Sequence, residues 1–311
     1  MNKIIVTDGL DQGGLDILRA SAQMDDRNGI TPDDLLKAIP EYDALIVRGR
    51  TKVTAAVFEA AKSLKVVGRA GVGVDNIDLA AAKAHGVTVV NSPTATSVAV
   101  AELAFGLMLA IAREIPRADA TMKAGKWIKK ELEGAELFGK TLGVIGFGRI
   151  GAEVGKRAAA FGMNVIGYDP LIPADEIKKR GGEPVSLADL YARSDVITMH
   201  IPLTPDSKNL INAAAIAAMK TGVRIVCAAR GGVIDEAALL EGLNSGKVAA
   251  AGLDVFVAEP PGATDLVMHP RVVCAPHIGA QTVEAQARAA DDIATEILAA
   301  LAGKQLRWKV A

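Results

Sequence analysis

The stretch TLGVIGFGRIGAEVG, Thr141 to Gly155, decides how this chain folds. Leu142, Gly143, Val144, Ile145 and Gly146 make an apolar run short enough for one buried strand. Gly146, Gly148 and Gly151 stand in the spacing G-x-G-x-x-G, and a helical pattern follows through Ala152, Val154, Arg157 and Ala158. Glycines at that spacing have separate mechanical tasks: a tight turn, close approach of backbone to a pyrophosphate, and close packing of helix on strand. Peptide N–H groups at the start of the new helix then meet the phosphate charge. A second apolar run, Asn164 to Tyr168, ends at Asp169, 18 residues past Gly151. A carboxylate at that distance binds the adenosine ribose hydroxyls and repels a 2′-phosphate, so the stretch predicts NAD over NADP.

At 311 residues the chain is long enough for two domains, each with its own core. It is 50% hydrophobic and 23% charged, with a net charge of −1. That balance provides no field to hold nucleic acid or an anionic membrane, so neither is an expected partner. MNKIIVTDGL lacks the apolar core of a signal peptide, and the longest apolar stretch, Leu103 to Ala112, is too short to span a bilayer. Cys227 and Cys274 both sit in apolar strand-like runs and read as buried, reduced thiols; a disulfide or a metal site would need more partners. These features predict a cytoplasmic protein.

Residues 1–93 alternate β-branched runs with helical patterns. Strands are predicted at 4–6, 44–47, 64–67 and 87–90, and helices at 14–20, 54–61 and 77–84. Residues 141–284 carry a longer series, with strands at 142–146, 164–168, 195–200, 223–228, 249–256 and 271–275. Alternation of this kind argues for parallel sheets covered by helices. The fold class is therefore α/β: two Rossmann-like, doubly wound parallel-sheet domains with a cleft between them. A helical tail, 283–301, returns to the first domain, which gives a division into 1–94 plus 285–311 and 95–284. Between the two series runs TATSVAVAELAFGLMLAIAR, Thr94 to Arg113, apolar around most of its circumference. Either its own domain buries it fully or a second subunit covers one side; the expectation is a homodimer or homotetramer.

Ligands of open parallel sheets collect beyond the carboxyl ends of the strands. In the second series those ends carry Gly146, Asp169, His200, Arg230, Asp254 and His277. All but the glycine can ionise or hydrogen-bond, in strands that are otherwise almost wholly apolar. Of four histidines, His85 reads as a helix end and His269 as a solvated loop residue. His200, before Ile201-Pro202, reads as a structural or cofactor-wall group. His277 is best placed to titrate. Glu259, in DVFVAEPP, is a carboxylate that could orient the His277 ring. Arg230 precedes Gly231-Gly232, where missing side chains let a small anion reach its planar fork. In the first series Arg48, Arg50 and Lys52 cluster after one strand and Arg69 follows another: a phosphate site, or a solvated basic edge.

GFGRIG…YDP, CAARGG, DVFVAEPP and PHIGA resemble the D-2-hydroxyacid dehydrogenases in type and order. Within that family LIVRGRTKVT and VVGRAGVGVDNIDL are similar to the branch that oxidises D-3-phosphoglycerate. The resemblance implies that Arg230, Glu259 and His277 are the catalytic trio. It implies an NAD site lined by Arg149, Ile150, Asp169 and Asp254. The glycine loop, His200, Ile201, Pro202, Ala228, Arg230, His277, Gly279 and Ala280 complete the expected cofactor wall. It further implies that backbone at Gly71 and Gly73 meets the substrate carboxylate, and that Arg48 and Arg69 stand near a phosphate. Arg230 and His277 would touch substrate as well. Many members of that branch have threonine where this chain has Val72. The expected partner is a phosphorylated 2-hydroxy acid, the first domain being the substrate domain. Two other readings stay open: a glyoxylate, hydroxypyruvate or other 2-keto acid reductase, and a non-catalytic NAD-sensing scaffold of the co-repressor type. Because the chain ends at Ala311, a regulatory domain and feedback by serine are not expected.

Overall fold

A computed structural model describes all 311 residues, which divide into two compact units. Unit 1 comprises Met1–Ser97 and Ala280–Ala311, and unit 2 comprises Val98–Gly279.

Unit 1 begins β1 (Lys3–Val6), α1 (Gln12–Arg19), β2 (Gln23–Asp26), α2 (Pro32–Ala38), β3 (Ala44–Val47), α3 (Ala55–Ala60), β4 (Val66–Arg69), α4 (Leu79–Ala84) and β5 (Thr88–Asn91). Its five strands run parallel in the order β2-β1-β3-β4-β5. β2, read QMDD, has no apolar alternation and was not legible as a strand; it is a partly exposed edge held by pairing with β1. β4 is shifted two residues from the predicted 64–67: Lys65 bonds Asp43 and Thr88 ahead of the ladder, and pairing continues as far as Arg69 with Asn91.

After Ser97 come α5 (Ser97–Arg113), α6 (Ile115–Lys123), β6 (Thr141–Ile145), α7 (Arg149–Ala160), β7 (Asn164–Tyr168), α8 (Ala174–Lys179), β8 (Glu183–Pro184), α9 (Leu187–Arg193), β9 (Val196–Met199), α10 (Ala213–Ala218), β10 (Val223–Cys227), α11 (Glu236–Asn244), β11 (Val248–Leu253) and β12 (Val272–Cys274). The seven strands of unit 2 are parallel in the order β12-β11-β10-β9-β6-β7-β8. The order reverses at β6, with β7 on one side and β9 on the other; such a switch point is where an open sheet accepts a ligand. Side chains alternate across the pleat: Ile145, Ile197, Ile225 and Leu253 pack into one core layer, and Leu142, Val144, Val196 and Val226 into the other. The second layer includes α5, whose Leu107, Met108 and Ile111 are at most 5% exposed. Each such side chain contributes about 1.5–3 kcal/mol of burial, enough to hold α5 on its own sheet.

The chain closes with α12 (Val283–Leu301) in unit 1. Thr282 caps it, and its Ile293 and Ile297 are fully buried against Gly68 of β4, where a Cβ would come within 2.9 Å of both. α1 approaches as closely, since a Cβ on Gly14 would lie 2.8 Å from Ala290. Buried Glu296 accepts from the Arg307 and Trp308 backbone N–H groups and from Arg307 Nε, so its charge is satisfied. No helix is long and apolar enough to cross a membrane.

Candidate active site

Strand register builds the site in unit 2. Tyr168, Ile145, Met199, Cys227, Leu253 and Cys274 form one row across six strands. The next residue on each strand therefore emerges at a common edge: Asp169, Gly146, His200, Ala228, Asp254 and Ala275. Backbone bonds carry the row one step further, from Gly146 N–H to Tyr168, His200 N–H to Ile145 and Asp254 N–H to Cys227.

Gly146 turns with φ +88°, and a Cβ there would meet the His200 carbonyl at 2.6 Å. A Cβ on Gly151 would collide with the Gly146 carbonyl, so α7 sits directly on β6. Gly148 faces open space and leaves the first turn of α7 without a side-chain cap, whereas Ser186, Asn212 and Asp235 cap α9, α10 and α11. This is a cradle of amide donors with no built-in acceptor, and it fits a diphosphate. Asp169 accepts Phe147 N–H at 2.9 Å through Oδ2, and Leu171 and Ile172 N–H at 2.8 and 3.2 Å through Oδ1. A carboxylate has about four acceptor positions, so one remains for a ribose hydroxyl. Exposed Arg149 and half-buried Ile150 open α7 beside this loop.

His200 Nε2 lies 3.0 Å from Thr198 Oγ1, while its Nδ1 is buried without a partner. Burial pushes its pKa down to about 3, so the ring is neutral near neutral pH and is no proton donor. An orphaned polar atom at this edge suits the wall of a polar cofactor. Ile201 and Pro202 continue from it, and Ile201 side-chain atoms lie against Gly146.

The His277–Glu259 pair is geometrically explicit. His277 Nδ1 and Glu259 Oε2 are 2.7 Å apart, with side chains 50% and 39% exposed. Asp254 organises the histidine loop: its Oδ1 and Oδ2 accept Ile278 and Gly279 N–H, both at 2.8 Å, and its carbonyl accepts His277 N–H. Burial raises the Asp254 pKa, opposed by those two amides. His277 itself adopts φ +54°, a left-handed conformation that these bonds maintain. Ala280 continues the loop and accepts from Gln286. On the other side, Phe256 N–H donates to Glu259 Oε1 at 3.1 Å and Val257 N–H to Glu236 Oε1 at 2.7 Å. A Cβ on Gly231 would collide with the Phe256 carbonyl. The segment bearing Arg230 thus packs on the peptide that supports Glu259, and Arg230 Nη1 donates to Ala229 O.

Unit 1 has its own strand-end cluster. Asp8, after β1, accepts N–H from Arg48 and Thr51, while Asn76 Nδ2 donates to the Arg48 and Thr51 carbonyls. Half-buried Arg48 reaches Gln281 Oε1 at 3.1 Å, and burial lowers its pKa. Arg69 folds over Gly71, where φ is +144° and any Cβ would strike the guanidinium. Half-buried Gly73 follows in the same loop, whose Val72 carbonyl accepts from Asn91.

Arg50 donates to the Thr7 and Ile30 carbonyls and pairs with Asp8 at 3.1 Å. One expectation needs correction. Cys274 is exposed, because β12 is the sheet edge; only Cys227 is buried, its thiol pushed up to about 11. Sequence reading missed Asp8, Asn76 and Glu236. Asp8 ends a strand, so the strand-end rule applied to the first series would have found it. Glu236 reads as an ordinary first-turn acid, and nothing local shows it turning back to Val257.

Residues 105–279 match the model of the D-isomer specific 2-hydroxyacid dehydrogenase, NAD binding domain. They lie within unit 2, which is therefore the NAD-binding domain. The chain is 51% identical over 305 residues to a D-3-phosphoglycerate dehydrogenase of Methanocaldococcus jannaschii, covering 98% of this chain and 58% of that protein. It is 50% identical over 301 residues to a hydroxypyruvate reductase of Thermotoga maritima, covering 95% of this chain and 97% of that protein. A glyoxylate reductase structure from Paecilomyes thermophila superimposes with a TM-score of 0.92 at 31% identity, covering 99% of this chain and 98% of the other. The chain spans about half the length of the curated D-3-phosphoglycerate dehydrogenases it matches, 49% to 58%. The chain belongs to the D-isomer-specific 2-hydroxyacid dehydrogenase family.

Proposed function

We propose that this protein oxidises D-3-phosphoglycerate to 3-phosphohydroxypyruvate, the first step of serine biosynthesis, with NAD. The His277–Glu259 pair carries the reading, because an imidazole with one nitrogen held by a carboxylate is equipped to move a proton with the other. NAD supplies the acceptor for the hydride leaving C2. His277 Nε2 takes the C2 hydroxyl proton, and Glu259 stabilises the resulting imidazolium. In reverse, the imidazolium returns that proton to the carbonyl oxygen. The Arg230 fork and backbone at Gly71 and Gly73 hold the substrate carboxylate. Arg48 and Arg69 bind the phosphate.

Phosphate recognition is supported by the names of the longer relatives and by Asp8 and Asn76, which stiffen the Arg48 loop. A second reading, reduction of hydroxypyruvate or glyoxylate, is favoured by the Thermotoga relative, which matches over almost its whole length. NADH formation from 3-phosphoglycerate with a keto-acid trap, run beside glycerate and, in reverse, hydroxypyruvate and glyoxylate, decides between them. Turnover of only the unphosphorylated acids would move the substrate to the second reading.

Self-association as a homodimer or homotetramer belongs to the same proposal. It is supported by the exposed Val98, Ile115, Trp127, Phe138 and Phe161 of unit 2, and sedimentation equilibrium tests it. Cytoplasmic residence is supported by the absence of disulfides between the two free cysteines.

A further inference from the structure

Phe147 sits between Gly146 and Gly148, and its peptide is gripped from both sides. Its N–H donates to Asp169 at 2.9 Å and its carbonyl accepts from Arg180 Nη1 at 2.8 Å. The ring is fully buried, and three glycines make room for it. A Cβ on Gly155 or Gly182 would approach the ring tip at 3.3 or 2.5 Å, and one on Gly167 would overlap the ring edge. Arg180 follows the last turn of α8, where Nε donates to Glu176 Oε1 at 2.9 Å. Its side chain is 31% exposed, so the guanidinium is constrained yet partly solvated. The contact that leaves its own helix goes to the Phe147 carbonyl.

We propose that Arg180 is a positioning residue for the dinucleotide, holding the Phe147–Gly148 peptide plane in the orientation that presents the Gly148 amide to the diphosphate. Two glycines give this turn wide backbone freedom, and freedom lost on binding weakens affinity. The buried ring anchors the side chain of the turn but does not fix the rotation of its peptide planes. A charged donor on the Phe147 carbonyl does, because turning that peptide away would break a charge-assisted bond. The Asp169 bond sets the preceding plane in the same way, so the two ions of opposite sign clamp one residue. The guanidinium also adds positive charge beside a loop that receives two negative phosphates. This inference rests on the NAD-binding domain and is independent of which 2-hydroxy acid is oxidised.

The test uses the full chain and isothermal titration with NAD, ADP-ribose and adenosine. Arg180→Met removes the donor while keeping most of the aliphatic stem. It should weaken NAD and ADP-ribose by about tenfold, the usual worth of one charge-assisted bond, and leave adenosine, which lacks the diphosphate, within about twofold. Arg180→Lys retains charge and a donor without the planar fork and should recover part of the loss. Hydrogen exchange at residues 146–149 should quicken in both variants, with α8 unchanged. Unaltered NAD affinity in either folded variant overturns the proposal. An equal loss for adenosine also overturns it, because Arg180 would then support the whole pocket rather than the turn. If Arg180→Met fails to fold, Arg180→Lys alone decides by the same three ligands.

Discussion

Glu259 Oε2 approaches His277 Nδ1 to 2.7 Å, and both partners are held by further hydrogen bonds. The carboxylate's other oxygen is fixed by Phe256 N–H, and the histidine loop by Asp254. With Nδ1 donating to the carboxylate, Nε2 is the nitrogen left to exchange a proton. His277→Ala should lower turnover roughly a hundredfold or more, and Glu259→Gln by a smaller factor, with NAD affinity nearly intact in both. Steady-state rates combined with NAD titration check this; wild-type turnover in His277→Ala would remove it from the mechanism.

Gly231 is a structural prerequisite of that pair. In Gly231→Ala the new methyl meets the Phe256 carbonyl, so the Glu259 loop must move away from Arg230. Turnover should fall at least tenfold, because displacements of about 1 Å at a catalytic group carry penalties of that order. A crystal structure of the variant should show residues 255–259 displaced.

Arg48 and Arg50 should separate cleanly. Arg48→Ala should raise the Michaelis constant for a phosphorylated hydroxy acid far more than for its unphosphorylated counterpart; equal changes would remove Arg48 from phosphate binding. Arg50→Ala instead strips donors from the Thr7 and Ile30 carbonyls and a partner from Asp8. It should cost about 1–3 kcal/mol of stability, visible as a lower unfolding midpoint.

In the proposed NAD site Asp169 has two duties, accepting the amide of the glycine loop and facing the ribose. Wild-type protein should prefer NAD to NADP. Asp169→Asn removes the repulsion of a 2′-phosphate, but its amide nitrogen cannot accept the backbone donors that both oxygens now hold. NAD binding should weaken about tenfold without NADP reaching the wild-type NAD affinity. Titration with both dinucleotides gives the answer.

His200 links stability to pH. Its folded-state pKa is about 3 against an ordinary 6.5, so the folded chain binds this proton more weakly than the unfolded one. The contribution is fully present above pH 6.5 and is lost as pH falls toward 3, at about 1.4 kcal/mol per unit. Urea midpoints measured at neutral pH and near pH 5 should therefore drop more in wild type than in His200→Asn. Parallel slopes would show that His200 does not titrate this way.

The two parallel sheets were legible because their strands are apolar runs with β-branched residues and because G-x-G-x-x-G marks one strand-to-helix turn. Strand ends followed from the same runs, which is why Asp169, His200, Asp254 and His277 could be named from their places alone. β2 and β8 were not legible: QMDD and the two-residue Glu183–Pro184 become strands by pairing with a neighbour, not through any pattern of their own.

Local composition therefore determined the sheets, the glycine turn and the kinds of side chain at each strand end, because periodicity and backbone freedom act over a few residues. Only the tertiary structure decided what those side chains touch. It committed Arg50 to main-chain carbonyls, exposed Cys274 on an edge strand, turned Glu236 back onto Val257 and set Arg180 on Phe147. Each of those outcomes depends on register and loop packing between segments distant in sequence, where a hydrogen bond is settled by geometry to a few tenths of an ångström.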